Sequence, residues 1–404
     1  MLQAQCGCIT FLAMEEEPYV DGWWSKNAQW GDFRRMGIKI KYCCFLNKEA
    51  RANVVLTTGW GDSVIKYSDT VRYLHERGFN VFSYDHQSQG LSGRWLMNKQ
   101  TIYVESFEDY VDDFVYFVTT TVQGYGEGGT NGGKNSPGGG NGSALPMYVI
   151  GCSMGGLIAS IAMSRQPTLF NRAVLVAPML RNKCATKYFD FKYPVPQPLV
   201  YWISWLACYL GLGQTHVLGF FEDKPEDPLK LNITTSDIDQ LHAWQLHRHR
   251  NPGIMSSCIT VQWLLESIRA QKKFSYRYKL VRTNTLIMAA ENDRFVHNRA
   301  MAMFLKQAPN VQMFFAPDSF HDLLNEKEGV RGACLKAVTD FFSQKIDDVL
   351  TLQPSSPLIV HDATKPIYSY AETLVRMTGL TVGALGLVAG AAMMLSDVGA
   401  RGRR

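Results

Sequence analysis

Short apolar runs alternate along the chain with longer amphipathic stretches. The runs are rich in Val, Ile, Leu and Phe and predict strands at residues 37–46, 54–58, 80–84, 147–151, 173–177, 285–290 and 311–316. Stretches of helical length lie between most of them. In two of these, one face is apolar at helical spacing: Val64, Tyr67, Val71 and Leu74 in the first, and Phe107, Tyr110, Val111, Phe114, Val115 and Val118 in the second. This alternation predicts an α/β protein whose mostly parallel sheet is covered on both faces.

Two insertions interrupt the alternation. Residues 123–143 are mostly Gly, Asn and Ser, a composition that predicts a disordered loop. Residues 181–283 are far longer than an ordinary crossover and predict a cap domain. The cap segment is rich in aromatic residues, including Tyr188, Phe189, Phe191, Tyr193, Tyr201, Trp202 and Trp205. Each of these is more often a core residue than a ligand contact, but together they predict one wall of an apolar pocket.

Composition excludes several classes of protein. The chain has 404 residues, of which 46% are hydrophobic and 12% aromatic, so it is long enough and apolar enough for a sizeable core. A formal net charge of +5 with scattered basic residues argues against nucleic-acid binding. The nine cysteines lack metal-ligand and disulfide spacing, so we expect a reducing compartment and neither metal nor other cofactor. The apolar run at residues 8–13 does not have the form of a signal peptide.

The most informative motif is Gly151-Cys152-Ser153-Met154-Gly155, which has the form G-x-S-x-G. It lies where the predicted strand at residues 147–151 gives way to a helical stretch at residues 157–164. A serine on such a turn is pushed out above the sheet with a helix N-terminus behind it, and the glycines let neighbouring backbone pass closely. Because five-residue patterns also occur by chance, Ser153 becomes a candidate nucleophile only if the chain supplies its partners.

Those partners are a base and an acid that orients it, in the chain order Ser, acid, His. His321 follows the last predicted strand, in the loop that enters the final helix, and is the candidate base. We interpret His297 and His361 as surface residues. The acid is expected directly after the sixth predicted strand, where Asp293 is our candidate and Glu291 the alternative. Either carboxylate also fits a solvated turn or a helix N-cap.

Acyl transfer also needs two backbone donors for the oxyanion of the tetrahedral intermediate. One candidate is the N–H of Met154, directly after the nucleophile. The other is the N–H of Trp60, in the loop Thr58-Gly59-Trp60-Gly61 that follows the second predicted strand. Since backbone groups act here, side-chain identity constrains the assignment only loosely.

Five segments carry a resemblance to a known family. They are Tyr84-Asp85-His86-Gln87-Ser88-Gln89-Gly90-Leu91-Ser92-Gly93-Arg94, Gly151-Cys152-Ser153-Met154-Gly155-Gly156, the acid loop at residues 290–299, His321-Asp322 and Trp263-Leu264-Leu265-Glu266-Ser267-Ile268-Arg269-Ala270. Together they resemble the α/β-hydrolases of the monoacylglycerol lipase and bacterial lysophospholipase group, which are serine hydrolases. The resemblance covers about residues 35–345 and is more specific for the fold than for the substrate.

Two departures from the family pattern stand out. Many relatives carry His-Gly where this chain has Thr58-Gly59, which calls the hydrogen bonding of the oxyanion loop into question. The usual Arg-Gly is replaced by Gln87-Ser88, and we expect this change to affect only the turn.

The resemblance implies an α/β-hydrolase fold, in which helices flank a mostly parallel central sheet and a cap is inserted after the sixth strand. The expected organisation is an N-terminal extension (1–34), the first part of the core (35–180), the cap (181–283), the second part of the core (284–346), a linker (347–377), an apolar segment (378–396) and a basic tail (397–404).

The apolar segment at residues 378–396 is uncharged, and its length is close to the minimum for crossing a bilayer of roughly 30 Å. Gly379 with Gly383, and Gly386 with Gly390, form two G-x-x-x-G pairs that permit close helix pairing in lipid. We therefore expect a C-terminal anchor that leaves the catalytic domain in the cytosol. The alternatives are a helix that lies on the membrane and a cytoplasmic protein.

The expected function is hydrolysis of the acyl ester of single-chain lipids at a membrane surface, with lysophospholipids as the preferred substrates. Withdrawing each methylene from lipid costs about 0.8 kcal/mol, which favours one acyl chain over two. The run His247-Arg248-His249-Arg250 fits attraction of a phosphate, although such runs are more often solvated turns. The alternatives are a monoacylglycerol lipase, a peptidase or small-ester hydrolase, and a membrane-tethered scaffold without activity. The sequence leaves the oligomeric state open.

Overall fold

A large sheet lies at the centre of the protein. The structure, a computed structural model, describes Pro18 and residues 20–126, 145–183 and 195–343, apart from residues 225, 228, 230 and 232. Its strands are β1 (Gln29–Arg35), β2 (Ile38–Phe45), β3 (Ala52–Thr57), β4 (Phe79–Tyr84), β5 (Thr101–Ile102), β6 (Met147–Cys152), β7 (Arg172–Val176), β8 (Cys258–Ile259), β9 (Asn284–Ala290) and β10 (Val311–Ala316). Eight of them pair in the order β1-β2-β4-β3-β6-β7-β9-β10, while β5 and β8 form a separate parallel pair. Only β2 runs antiparallel to its neighbours, so the predicted mostly parallel sheet is confirmed.

Helices cover both faces of this sheet. They are α1 (Gly22–Asn27), α2 (Ser68–His75), α3 (Phe107–Tyr116), α4 (Gln123–Gly126), α5 (Met154–Arg165), α6 (Gln197–Tyr209), α7 (Ile238–Arg250), α8 (Val261–Ser275), α9 (Asn298–Gln307) and α10 (Glu328–Phe342). Side chains of α3, α5, α8 and α9 share one apolar cluster, and side chains of α1, α2 and α10 share a second. Neighbouring residues of β3 divide between the clusters, since Val55 belongs to the first and Val54 and Leu56 to the second. The sheet is therefore buried on both sides, which explains why its central strands are continuous apolar runs.

The predicted extension at residues 1–34 is wrong at its C-terminal end, because β1 pairs with β2 along its whole length. The pattern is hard to detect since β1 is an edge strand with only two large apolar side chains, Trp30 and Phe33, among charged ones. The turn between the strands consists of Met36 and Gly37, both with positive φ, a backbone form that suits a two-residue hairpin.

The segment between β7 and β9 contains α6, α7 and α8. The insertion follows β7, which is the sixth strand of the large sheet along the chain. Its last helix, α8, contributes Trp263 and Phe274 to the same apolar cluster as α3 and α5. Helix α6 differs, because it has no charged residue and exposes a row of apolar side chains, namely Trp202, Ile203, Trp205, Leu206, Tyr209 and Leu210. The insertion thus combines a core helix with an outward-facing apolar one.

Several expectations fall outside the described residues. They concern most of the Gly-rich loop at residues 123–143, the aromatic residues 188–193 of the cap, His361, and the linker, apolar segment and basic tail at residues 347–404. Within the described ranges, no helix is both long and apolar enough to cross a membrane. The C-terminal anchor at residues 378–396 stays a prediction.

The start of α5 passes very close to the end of β3. A Cβ added to Gly155 would lie 2.6 Å from the carbonyl oxygen of Thr58, which is closer than such atoms approach in proteins. The Gly155 N–H instead donates to that carbonyl at 3.0 Å. A glycine is required here because the obstacle is backbone, which cannot rotate away as a side chain can.

We expect Gly155→Ala to lower the free energy of unfolding by about 1–3 kcal/mol, since the added methyl group overfills a site enclosed by backbone. Gly329→Ala in α10 is the matched control, because a Cβ there meets nothing within 4 Å and alanine favours helix. Denaturant unfolding of the two variants tests this expectation. Equal stability of Gly155→Ala and the unchanged chain would contradict it.

Candidate active site

Ser153 occupies the turn between β6 and α5 with a backbone conformation that side chains rarely adopt. Its φ is +49°, a strain of about 1–3 kcal/mol for a residue other than glycine. Three hydrogen bonds fix the turn: the Ser153 N–H donates to Val176 O at 2.9 Å, the Met179 N–H donates to Ser153 O at 2.8 Å, and the Gly155 N–H donates to Thr58 O. The hydroxyl is therefore presented at the C-terminal edge of the sheet, as the G-x-S-x-G motif predicts.

Two further predicted residues lie in a row with this hydroxyl. His321 Nε2 lies 2.9 Å from Ser153 Oγ, and His321 Nδ1 lies 2.7 Å from Asp293 Oδ2. Asp293 comes directly after β9 and His321 comes between β10 and α10, so three separate loops meet at one edge of the sheet. With Nδ1 protonated, the imidazole donates to Asp293 and accepts from the serine hydroxyl.

Asp293, rather than the alternative Glu291, contacts the histidine. The side chain of Asp293 is fully buried, and its Oδ1 accepts the N–H groups of Phe295 and Val296 at 2.8 and 2.9 Å. Glu291 is exposed, and its Oε2 accepts the N–H of Asp318 at 2.8 Å. The first carboxylate therefore orients His321, while the second braces the turn that follows β10.

The Asp293 and His321 pair stabilises the charged form of each partner. Burial alone raises the pKa of Asp293, but the charge and hydrogen bond of His321, aided by two backbone N–H groups, bring it below the ordinary value. Burial lowers the pKa of His321, and Asp293 raises it by more, so this pKa lies above its ordinary value of 6.5. An imidazolium formed during proton transfer would thus be stabilised by the adjacent carboxylate.

The candidate oxyanion donors lie on either side of the serine. Met154 is the first residue of α5, where helical N–H groups have no partner within the helix. The loop that carries Trp60 packs against Ser153, because a Cβ at Gly59 would lie 3.4 Å from the Ser153 Cβ. The Gly61 N–H donates to Gln89 Oε1 at 2.6 Å, which anchors the far side of that loop. The loop that carries Trp60 and the first residue of α5 therefore both adjoin Ser153, and the two oxyanion donors stay a prediction.

Backbone contacts hold the loop that begins at Thr58. The Thr58 hydroxyl is buried, and within the described residues it makes no hydrogen bond. The Thr58 carbonyl accepts from Gly155 and lies 3.2 Å from Nε2 of the buried His86. Because burial lowers the pKa of His86 to about 4, the ring is neutral near pH 7 and Nε2–H donates to the carbonyl. His86, in the loop that follows β4, thus places an imidazole next to the Thr58 carbonyl.

The replacement at Gln87-Ser88 reaches further than the turn. Ser88 has a φ of +61°, consistent with glycine at this position in relatives. Gln87 donates to Asp113 Oδ2 at 2.8 Å and accepts from the indole N–H of Trp95. The Gln87 side chain therefore links the turn to α3, in addition to any effect of the change on the turn itself.

Aromatic side chains surround the Ser153 region. The Trp60 ring contacts Phe220 with a centroid distance of 5.6 Å and Trp263 with one of 6.1 Å. The ring of Phe295 lies 5.1 Å from that of His321. Phe220 and Trp263 belong to the insertion between β7 and β9, so this segment contributes apolar surface next to the oxyanion loop.

Two groups of basic residues are accounted for by local structure. Arg248 is buried and its guanidinium lies 3.3 Å from Asp223, while its neighbours form the last turn of α7, where positive charge is favourable. His297 precedes α9 and is half-buried rather than a surface residue, and burial, aided by Lys183, lowers its pKa to about 4. The second group lies beside the row formed by Ser153, His321 and Asp293, since the Lys183 ammonium donates to the Asp293 carbonyl.

A buried ion cluster beside the site is not predicted by any motif. Lys66 Nζ lies 2.8 Å from Asp62 Oδ1 and 2.7 Å from Asp322 Oδ2, and each of the three side chains is at most 13% exposed. Asp62 belongs to the loop that carries Trp60, and Asp322 follows His321. The sequence feature that could have indicated this cluster is the single lysine in the otherwise buried run Val64-Ile65-Lys66-Tyr67.

Comparisons with known proteins agree with the observed fold. Lysophospholipase L2 of Escherichia coli (strain K12) is 26% identical over 349 residues, which cover 83% of this chain and 92% of that protein. A monoglyceride lipase homolog of Monkeypox virus is 22% identical, over 73% of this chain and 91% of its own. A soluble variant of the Saccharomyces cerevisiae monoglyceride lipase, solved with a substrate analog, superposes with a TM-score of 0.62 at 15% identity, over 81% of this chain and 99% of that one. At that identity the structural likeness shows the fold alone.

The family assignment follows from the sequence model that spans most of the chain. The model of the Hydrolase_4 family, described as serine aminopeptidase, S33, matches residues 48–328. This range includes strands β3 to β10 and all three residues of the hydrogen-bonded row. The predicted resemblance is confirmed: the chain belongs to the Hydrolase_4 (S33) family and is an α/β-hydrolase of the lysophospholipase and monoglyceride lipase group.

Proposed function

We propose that the chain is a serine esterase that removes the acyl group of single-chain lipids, with lysophospholipids as its preferred substrates. The observation that carries the proposal is the row from Ser153 Oγ through His321 to the buried Asp293, with distances of 2.9 and 2.7 Å. These distances are those of hydrogen bonds competent for proton transfer. A scaffold without activity would have no need to retain a strained serine with both partners in reach.

The proposed reaction is acyl transfer in two halves. His321 accepts the proton of Ser153 Oγ as the oxygen attacks the ester carbonyl, and the protonated imidazole then delivers that proton to the leaving alcohol. In the second half the same ring takes a proton from the water that attacks the acyl enzyme, and it returns that proton to Ser153 Oγ as the ester bond to the serine breaks and the fatty acid leaves. The N–H groups of Met154 and Trp60 stabilise the oxyanion in both halves, and each is worth about 2.7–4 kcal/mol of barrier.

The surroundings of Ser153 favour an acyl chain. Phe220 packs on Trp60 next to the buried Trp263, and Phe295 lies beside His321. We propose that the segment at residues 181–283 acts as a cap over this surface and offsets the cost of withdrawing an acyl chain from lipid. One chain needs half the apolar contact that two would need, which supports a single-chain substrate.

Action at a lipid surface is supported by α6. This helix has no charged residue and exposes Trp202, Trp205 and Tyr209 by 60%, 39% and 77%. Trp and Tyr are the side chains enriched at the boundary between membrane and water. The preference for lysophospholipids over monoacylglycerols rests on the Escherichia coli relative, which is named lysophospholipase L2 and spans most of both chains.

We expect Asp293→Asn to lower kcat on the order of 10⁴-fold, because the amide favours the wrong tautomer of His321. Glu291→Gln is the matched control: it changes the neighbouring carboxylate of the same loop, which contacts Asp318, and it leaves kcat unchanged. Steady-state kinetics on a soluble acyl ester gives both values. Comparable losses in the two variants would contradict the assignment of the acid.

The pH dependence follows from the raised pKa of His321. Below that pKa the ring is protonated and cannot accept the serine proton, so kcat/KM should fall with decreasing pH through an apparent pKa above 6.5. In Asp293→Asn, the charge that raises the pKa of His321 most is lost, and the same limb moves to lower pH. A pH profile whose acidic limb stays fixed in this variant would exclude His321 as the titrating base.

The substrate class is tested with the full chain on lysophosphatidylcholine, monoacylglycerol and an aminoacyl ester, the first two with the same acyl group. We expect the highest kcat/KM on lysophosphatidylcholine and no turnover by Ser153→Ala, whose missing hydroxyl leaves no nucleophile. Preference for monoacylglycerol would shift the assignment to a monoglyceride lipase. Preference for the aminoacyl ester, or equal activity of Ser153→Ala, would refute the proposal.

A further inference from the structure

Lys66 connects the two loops that lie on either side of Ser153. Its ammonium lies 2.8 Å from Asp62, which is in the loop that carries Trp60, and 2.7 Å from Asp322, which follows His321. Both loops begin at the C-terminal ends of parallel strands, β3 and β10, and these strands are far apart in the sheet order. The lysine therefore links two segments that the sheet itself does not join.

On one side, the cluster fixes the oxyanion loop. Asp62 Oδ1 accepts from Lys66, and Asp62 Oδ2 accepts from the hydroxyl of the buried Tyr67 at 2.8 Å. The same carboxylate packs on Gly59, because a Cβ at Gly59 would lie 2.6 Å from Asp62 Oδ2 and 3.4 Å from the Ser153 Cβ. A change in the position of Asp62 would thus move the backbone that precedes the Trp60 N–H.

On the other side, the cluster fixes the histidine loop. Asp322 Oδ2 lies against Lys66, and its Oδ1 accepts from the Asn325 amide at 3.1 Å. The Asp322 N–H donates to Thr234 O at 2.8 Å. Because Asp322 is the neighbour of His321 in sequence, the direction of the imidazole depends on this anchor.

Stability alone does not account for the cluster. Removing three charged groups from water costs more than their attraction returns in many proteins, so well-packed apolar residues would serve a purely structural purpose equally well. Here two carboxylates share one ammonium. Burial opposes the charge on Lys66, but Asp322 and Asp62 outweigh it and raise the pKa of Lys66, so the side chain stays charged.

We propose that Lys66 is a positioning residue that holds the Trp60 N–H and the His321 ring in register around Ser153. The proposal rests on the proposed serine mechanism. Lys66 itself touches neither the nucleophile nor the base; it acts through Asp62 on one loop and through Asp322 on the other.

Lys66 also acts on the charge that His321 experiences. The charged groups around the ring are Asp293, Asp322 and Lys66, with Asp62 behind Lys66 and Lys183 against the Asp293 carbonyl. Asp322 raises the pKa of His321 and Lys66 lowers it. Loss of the lysine would leave Asp322 and Asp62 without their cation, and the acidic limb of reactivity would move to higher pH.

The test is the rate at which a fluorophosphonate labels Ser153 in the full chain, measured across pH. This readout needs no knowledge of the natural substrate. We expect Lys66→Met to react at least about 10-fold more slowly, since a displaced oxyanion donor forfeits part of the roughly 100- to 1,000-fold that it supplies. Its acidic limb should lie at higher pH. Lys66→Arg retains the cation and should restore the limb and bring the rate within about 3-fold of the unchanged chain.

Controls separate the possible failures. Lys336→Met removes an exposed lysine that pairs with Asp340 at the same sequence spacing, and it should change nothing. If thermal melting shows that Lys66→Met does not fold, the neutral triple variant Lys66→Met, Asp62→Asn, Asp322→Asn is used instead, and it should still react at least about 10-fold more slowly.

A folded Lys66→Met, or the triple variant, with the rate of the unchanged chain would overturn the positioning role. So would a Lys66→Arg that is as slow as Lys66→Met. Absence of labelling in the unchanged chain would overturn the serine mechanism and this inference with it, whereas labelling without lipid hydrolysis would refute only the proposed substrate class.

Discussion

The backbone turn at Ser153 is the constraint on which the site depends. A serine with φ of +49° is strained, and the turn persists because three hydrogen bonds tie it to Val176, Met179 and Thr58. These partners follow or end two of the strands that flank β6 in the sheet. Gly155 permits the contact with Thr58, since any side chain there would collide with backbone. Main-chain hydrogen bonds to the sheet and to the residues that follow its strands thus fix the position of Ser153 without any side-chain contact.

Much of this arrangement could be predicted from the sequence because parallel strands obey a simple rule. Their C-terminal ends meet at one edge of the sheet, so residues that follow different strands come together even when they are distant in sequence. Ser153 follows β6, Asp293 follows β9 and His321 follows β10, and an apolar run marks each strand. The helices could also be predicted, because each crossover helix must bury one apolar face against the sheet and this gives its sequence a helical spacing of apolar residues.

Other features were left open or missed because they depend on the position of residues in the folded chain. Glu291 and Asp293 are two residues apart on one loop, and only the fold of that loop decides which carboxylate meets His321. Strand β1 is mostly polar because it lies at an edge, so it lacks the apolar signature of the others. From the sequence alone, Lys66 has the character of a surface residue. Its contact with Asp322, some 250 positions later, exists only in the folded chain.

Trp60, whose ring packs edge-on with Phe220 and at a tilt with Trp263, has two proposed roles. Its indole packs against both rings, while its backbone N–H is the proposed donor to the oxyanion. An acyl chain bound against this indole would therefore contact the same residue whose N–H is proposed to stabilise the transition state. Contacts with the acyl chain, remote from the ester, would then raise kcat as well as affinity. Substrates that differ in acyl length would therefore differ in kcat and not in KM alone.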